Sequence, residues 1–263
     1  MFIFNEISEK GLPLEIQSKN VFNMTLEIRY DLNSIPGGVL IGALYNDGYF
    51  KENYDRPRQT AVSFIPPVIR QQEPNLSSAI DLLLARKDGT FQIGAGSGVL
   101  GLYLPDFKYT SWENAFSEMN RILDVINSIL PSIKNRIGVR FINFFSNQEL
   151  LNSLKLNCKV FDKNVLMEPF SLTCVNKIEE DTEMRLTLTN PVALEQPVNA
   201  DRKEGFVIDI DVITRKKMDG VDTIKKVFNQ NHLFAKRAFF GLFDKNTIKT
   251  VLKPEDKKTE CRQ

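Results

Sequence analysis

The stretch 109–145 constrains the fold of this chain more than any other part of the sequence. Apolar residues recur in it at steps of three and four, the period of one helix face, namely Trp112, Phe116, Met119, Leu123, Ile126 and Leu130. The charged residues between them are assigned to solvent, namely Glu113, Glu118, Arg121 and Asp124. Thr110 and Glu113 have the spacing of a capping box, and Pro131 disfavours helix beyond it. We therefore predict one amphipathic helix over 110–131.

A strand over 136–145 is predicted to follow this helix, with two arginines on one of its faces. Alternation places Ile137, Val139 and Phe141 on one face, and Arg136 and Arg140 on the other with Ile142 and Phe144. An arginine among apolar neighbours needs an anion or a carbonyl, because burying it unpaired is costly. We predict that Arg140 forms a buried pair with Asp209 or Asp211.

Composition and charge favour a soluble globular protein without a large electrostatic field. The chain has 263 residues, 42% of them hydrophobic and 25% charged, with a net charge of +1. That charge does not indicate nucleic acid or a membrane as the partner. Cys158, Cys174 and Cys261 lack metal-like spacing, which is typical of free thiols in a reducing compartment. With no signal peptide or membrane span in the sequence, we expect the cytoplasm.

A second strand and helix near the C-terminus repeat the first pattern. The stretch 205–215 alternates, so Asp209 and Asp211 share a face, and a helix over 219–243 starts at Asp219 and carries His232 on its apolar side. The fold class is predicted as α+β, with a curved antiparallel sheet and two long amphipathic helices on one face. We expect two similar halves, 1–147 and 148–252, in one compact unit, followed by a flexible tail at 253–263.

The smaller predicted elements are read from turn residues and short apolar runs. They are a strand at 25–32, a short helix opened by Pro36, an exposed loop at 47–58, a strand at 61–65, a hairpin turning at 87–89, an extended stretch at 99–104, a helical turn at 148–155 and strands at 170–175 and 183–188.

Several of these motifs resemble a sporadically distributed family of uncharacterised bacterial and archaeal proteins. The shared stretches are LEIRYDL, RKDGTFQIG, YTSWENAF and RIGVRFIN, then GFVIDIDV and a helix with His232 and Phe239. Phe141 stands where the family often has tyrosine. The scattered occurrence of the family implies an accessory role, such as a defence component acting with a partner.

Three motifs could carry chemistry, and each has a structural interpretation beside the functional one. Gly96 to Gly101 matches G-x-G-x-x-G, but no helix is predicted to follow, so we interpret these glycines as a strand connection. Asp209 and Asp211 could share a divalent metal, or pair with Arg136 and Arg140. His232 is the single histidine, and on an apolar helix face it is more often a core residue than a general base.

We therefore predict a non-catalytic interaction protein that works with a protein partner or as a homo-oligomer, without a cofactor or metal. The candidate binding or structural residues are Arg136, Arg140, Asn143, Asp209, Asp211 and His232. One alternative is a metal-dependent nuclease or phosphoesterase using Asp209 and Asp211. The other is a nucleic-acid-binding protein using Arg136, Arg140 and the basic C-terminal helix.

Overall fold

The computed structural model describes residues 15–16, 20–30, 35–73, 76, 78–129, 133–156, 159–160, 163–164, 169–195, 202–249 and 254–255. Its strands are β1 Glu15–Ile16, β2 Val21–Arg29, β3 Arg58–Gln59, β4 Ile80–Ala85, β5 Gln92–Gly96, β6 Val99–Leu104, β7 Ile133–Phe145, β8 Lys159–Val160, β9 Lys163–Asn164, β10 Phe170–Glu179, β11 Thr182–Glu195, β12 Arg202–Met218 and β13 Pro254–Glu255. Its α-helices are α1 Gly37–Asn46, α2 Gly48–Asn53, α3 Pro67–Gln72, α4 Trp112–Ile126, α5 Gln148–Asn152, α6 Val221–Gly241 and α7 Lys245–Thr247.

Nine of the described strands form one open sheet in the order β10-β11-β12-β7-β2-β6-β5-β4-β3. Every neighbouring pair in it is antiparallel. The predicted α+β class with an antiparallel sheet is confirmed. The central strand β7 lies between β12 and β2, so the strands of the two predicted halves adjoin at the β12–β7 pair in one continuous sheet. The division into two similar halves stays a prediction.

One face of the sheet is covered by α1, α4 and α6, and we call it the covered face. On β2 the buried residues Met24, Leu26 and Ile28 alternate with partly exposed ones. They join a hydrophobic cluster with side chains of all three helices. This alternation follows from the strand period of two, and burial of the apolar set drives the packing. The opposite face carries charged side chains across the central strands.

The helix α4 differs from the predicted span in its start and in one buried charge. It begins at Trp112, and its N-cap is Ser111, whose hydroxyl accepts from the Asn114 backbone N–H at 3.2 Å. The capping box at Thr110 was therefore wrong by one residue. Glu118 is 3% exposed and does not face solvent as predicted. The predicted end at Pro131 lies outside the described residues.

Three further predictions of local structure were wrong. The stretch 47–58 contains the helix α2, capped by the Asp47 carboxylate, which accepts from the Tyr49 and Phe50 backbone N–H groups. The predicted strand at 61–65 is a 3-10 helix over Ala61–Phe64. The N-cap of α6 is Gly220 at a φ of 85°, a conformation that suits glycine, and the predicted cap Asp219 precedes it.

The hairpin predicted around Gly89 is confirmed as the turn between β4 and β5. Gly89 has a φ of 72°, the positive value that the turn requires. The predicted strands at 136–145 and 205–215 lie within β7 and β12, with the predicted faces. Two residues of the predicted tail, Pro254 and Glu255, pair with β1. Cys174 is a free thiol on β10, and the other two cysteines lie outside the described residues.

Candidate functional site

The face of the sheet opposite the helices carries charged side chains on four adjacent central strands, and we call it the charged face. It consists of Glu27, Arg29, Arg136, Arg140, Glu183, Arg185, Asp209, Asp211 and Arg215. These residues belong to β2, β7, β12 and β11. They reach one surface because alternate residues of each strand point to the same side of a sheet.

The register of the strands decides which of these charges meet. Arg140 lies directly opposite Thr25 on β2 and Asp211 on β12. Asp211 in turn lies opposite Arg185 on β11. A second row, four residues earlier on β7, aligns Arg29, Arg136 and Arg215. Directly opposed like charges weaken strand pairing, so this row of arginines needs nearby carboxylates to be stable.

Arg140 is held by a two-pronged ion pair with Asp209. Its Nε and Nη2 donate to the two carboxylate oxygens at 2.9 and 2.6 Å. The hydrogen bonds to Asp209 raise the pKa of Arg140 above its ordinary value. The predicted partnership with a β12 aspartate is confirmed, but the predicted burial was wrong, since the Arg140 side chain is 47% exposed. An exposed fork of this kind contributes little to stability while it orients the guanidinium.

Counter-charges within the arginine row come from two glutamates. Glu27 accepts from Arg29 Nε at 2.6 Å and lies 3.7 Å from Arg136 Nη1. On the other side, Arg215 forms ion pairs with Glu183 at 2.9 Å. Desolvation, followed by the charge of Arg29, lowers the pKa of Arg136 from its ordinary value. Each outer arginine thus has a close carboxylate, whereas the central Arg136 has a distant one.

Asp211 differs from Asp209 although both carboxylates belong to the charged face. Among the described residues no side chain donates a hydrogen bond to Asp211, because the guanidinium of Arg140 is turned toward Asp209. Partial burial raises the pKa of Asp211, and the charges of Arg136 and Arg140 oppose that shift. The two aspartates therefore do not act as an equivalent pair.

Asn143 and His232, the other two predicted site residues, lie on the covered face. The Asn143 amide is buried and donates to the Ile208 carbonyl at 3.2 Å. His232 stacks on Trp112, with ring centroids 4.0 Å apart. Burial, with a smaller effect of Lys236, lowers the pKa of His232 to about 3, so its ring is neutral at physiological pH. Both residues are built into the packing between sheet and helices, away from the charged face.

Two buried polar groups were missed in the sequence. Glu118 accepts from the hydroxyls of Tyr49 at 2.9 Å and Tyr54 at 2.6 Å, and it lies 3.7 Å from Arg86. Its place between Phe116 and Met119 gives no sign of burial, since its partners come from distant parts of the chain. The other group is Asn231 on α6, which accepts from the Thr214 hydroxyl at 2.8 Å and donates to the Ile137 carbonyl at 3.3 Å. The one available signal was an asparagine within the apolar stripe of α6.

The glycine motif at 96–101 is a hairpin connection and not a phosphate-binding loop. β5 ends at Gly96, Gly98 adopts a φ of 74°, and β6 begins at Val99. No helix follows whose N-terminal amides could hold a phosphate. Gly101 makes room for the Tyr103 ring, since a Cβ at Gly101 would lie 2.3 Å from the tyrosine hydroxyl.

Among the residues that the structure describes, no group of three or more acidic, histidine or cysteine side chains could hold a metal ion. Within the same part of the chain, no helix has both the length and the apolar character needed to cross a membrane. No protein-family model matches the chain, and no curated protein matches it at a significant level. The family resemblance therefore rests on the quoted motifs alone.

Proposed function

We propose that this chain is a non-catalytic binding protein that holds a protein partner, or a second copy of itself, against the charged face. The observation that supports the proposal is the face of the sheet opposite α1, α4 and α6, where arginines and carboxylates lie together on four adjacent strands. Several of these side chains are well exposed, including Arg215 at 50% and Arg140 at 47%. A surface that carries both positive and negative charges selects partners by charge complementarity and accelerates their association.

The geometry gives less support to a metal-dependent nuclease or phosphoesterase. Asp209, one of the two carboxylates that such an enzyme would use, is occupied by the fork with Arg140. Asp211 lies in the field of Arg136 and Arg140, and positive charge at this position competes with a divalent cation. The nucleic-acid alternative is also disfavoured, because Glu27, Glu183, Asp209 and Asp211 would repel a phosphate backbone across the same surface.

We place this binding activity in the cytoplasm, in an accessory protein that acts beside its partner. The resemblance to a sporadically distributed prokaryotic family supports such a role, including service in a defence cassette. The free thiol of Cys174 suits a reducing compartment.

Charge reversal on the charged face tests the proposal. A tagged chain is recovered from the cells that encode it, as wild type and as the double variant Arg185→Glu/Arg215→Glu, and sedimentation velocity measures self-association in parallel. We expect a stoichiometric partner or a dimer that weakens with added salt and disappears in the variant.

The matched control is Lys51→Glu/Lys226→Glu, which reverses two exposed lysines on helices of the covered side. This control should retain the partner or dimer. The proposal is wrong if both double variants behave alike. It is also wrong if the purified chain cleaves nucleic acid with Mg²⁺ or Mn²⁺ and loses that cleavage in Asp209→Asn.

A further inference from the structure

Two opposite charges at the centre of the charged face lack side-chain hydrogen bonds among the described residues, although Arg136 lies within ion-pair distance of Glu27. The Arg136 side chain is 29% exposed and makes no hydrogen bond there, and its buried Nε has no acceptor. The nearest carboxylate oxygen, Oε1 of Glu27, is 3.7 Å from Nη1 and is bound more closely by Arg29. Asp211 is the second such group, since no described side chain donates a hydrogen bond to its carboxylate. A partly buried charge without hydrogen bonds raises the free energy of the folded protein. A ligand that supplies those hydrogen bonds would therefore be stabilised at this place.

A glycine separates these two groups and leaves a gap in the layer of side chains. Gly138 lies opposite Glu27 on β2 and Ile213 on β12. A Cβ at Gly138 would have one neighbour within 4 Å, the Asp211 Oδ1 at 3.8 Å. The Asp211 carboxylate thus leans across β7, while Arg136 and Arg140 stand two residues to either side of the glycine.

The charges around this gap select for a ligand that carries both signs. A simple anion would meet Arg136 but also the carboxylates of Glu27 and Asp211. A simple cation would meet Asp211 but also the guanidinium groups of Arg136 and Arg140. A ligand with an oxyanion at one end and an ammonium group at the other gives Arg136 and Asp211 each a hydrogen-bonded partner.

We propose that the gap over Gly138 binds a small zwitterion, with its oxyanion on Arg136 and its ammonium group on Asp211. The oxyanion is a carboxylate, as in a free amino acid, or a phosphate, as in a phosphoethanolamine headgroup. The inference rests on the proposed function in that it assigns a ligand class to part of the same charged face. It concerns the two charges that have no side-chain hydrogen bond among the described residues and does not involve the Arg140–Asp209 fork.

Titration calorimetry of the full chain with matched probes tests this assignment. The zwitterions are glycine and phosphoethanolamine, and the single-charge probes are acetate, inorganic phosphate and ethylamine, all at constant ionic strength. We expect saturable binding of at least one zwitterion and none of the single-charge probes. Glycine binding indicates an amino-acid ligand, whereas selective phosphoethanolamine binding indicates a headgroup. The proposal is overturned if acetate or phosphate gives the same binding heat as the zwitterions, or if neither zwitterion binds.

Substitutions of Arg136, Asp211 and Gly138 locate the site. Arg136→Gln and Asp211→Asn should each weaken zwitterion binding about tenfold or more, because each loses a charge-assisted hydrogen bond. Arg136→Lys should recover part of the affinity. Gly138→Ala should also weaken binding with an unchanged urea midpoint, since its Cβ enters the gap at an ordinary contact distance. The control Lys217→Gln removes a 67% exposed charge at the end of β12 and should bind normally.

The two proposals can fail separately. If Arg136→Gln and Asp211→Asn fold normally and bind zwitterion as wild type does, the site is wrong even where the protein partner is confirmed. If zwitterion binding follows these substitutions and Arg185→Glu/Arg215→Glu changes no partner or dimer, the charged face binds a small ligand and the partner proposal fails alone.

Discussion

The two faces of strand β7 show how one backbone serves two different purposes. On the covered face, Ile137 and Val139 are fully buried against the helices. On the charged face, the adjacent Arg140 is about half exposed and is held by one ion pair. Burial of apolar surface supplies most of the folding free energy, whereas an exposed ion pair adds little. The covered face therefore stabilises the sheet, and the charged face is free to serve recognition.

The polar groups on the two sides of the sheet differ in the same way. On the covered side, Glu118 and Asn231 are almost fully buried and satisfied by several partners. On the charged face, Arg136 and Asp211 lack hydrogen bonds within the described part of the chain. Buried networks must be complete for the fold to be stable, while incomplete ones are tolerated where a ligand or solvent can approach.

The largest effect in this comparison is expected at Trp112 on the covered side. Trp112 is 9% exposed, stacks on His232, and donates from Nε1 to Asn229 at 2.9 Å. Trp112→Ala should lower the free energy of unfolding by about 3–5 kcal/mol, because it opens a large cavity. Urea denaturation measures the change, and Asn229→Ala separates the hydrogen bond from the packing. An unchanged midpoint in Trp112→Ala would mean that the helix face does not stabilise the fold.

Removal of the buried Glu118 carboxylate on the covered side should lower the free energy of unfolding slightly less than Trp112→Ala does. Glu118→Ala leaves the hydroxyls of Tyr49 and Tyr54 without their acceptor and leaves Asp88 as the remaining carboxylate in the ion pairs of Arg86. We expect a loss of about 3 kcal/mol in the free energy of unfolding. Glu118→Gln should recover part of it by keeping one acceptor oxygen. Asp209→Asn on the charged face is the matched comparison and should lower the free energy of unfolding by about 1 kcal/mol or less. Equal losses in Glu118→Ala and Asp209→Asn would contradict the contrast between the two sides.

Acid should destabilise the covered side through His232. The pKa of this ring falls from 6.5 to about 3 on folding because of burial, so between these values the unfolded chain binds a proton that the folded chain excludes. Stability is therefore complete above pH 6.5 and decreases as the pH falls, by about 2 kcal/mol at pH 5. Thermal or urea unfolding from pH 8 to 5 measures the slope. His232→Phe keeps an aromatic ring against Trp112 and should abolish the dependence in this window.

The smallest effect is expected at Arg140 on the charged face. Arg140→Ala should reduce the free energy of unfolding by about 1 kcal/mol or less, and by less again in high salt, because water and ions screen the pair. Arg140→Lys should retain part of this contribution without the fork. A loss of about 3–5 kcal/mol would show that this pair behaves as a buried one and that the charged face takes part in the core.

Much of the strand geometry could be predicted from the sequence, but little of the site could. Alternation identified the faces of β7 and β12, since a strand's period of two does not depend on its neighbours. The helix starts were misplaced because several polar residues in a row can each cap a helix, as Thr110 and Ser111 show. The role proposed for Gly138 had no signal in the sequence, since the groups around it belong to two other strands.

By itself the sequence determined which residues share a side of each strand, and it predicted that Arg140 of β7 would pair with an aspartate of β12. Only the tertiary structure decided that Arg140 binds Asp209 and leaves Asp211 without a hydrogen bond from any described side chain, and that Arg136 lies between two other arginines. Only the tertiary structure placed Glu118 inside, beside tyrosines more than sixty residues away in the chain. Periodicity is a property of the local backbone, whereas register, burial and charge partners depend on segments that the chain brings together when it folds.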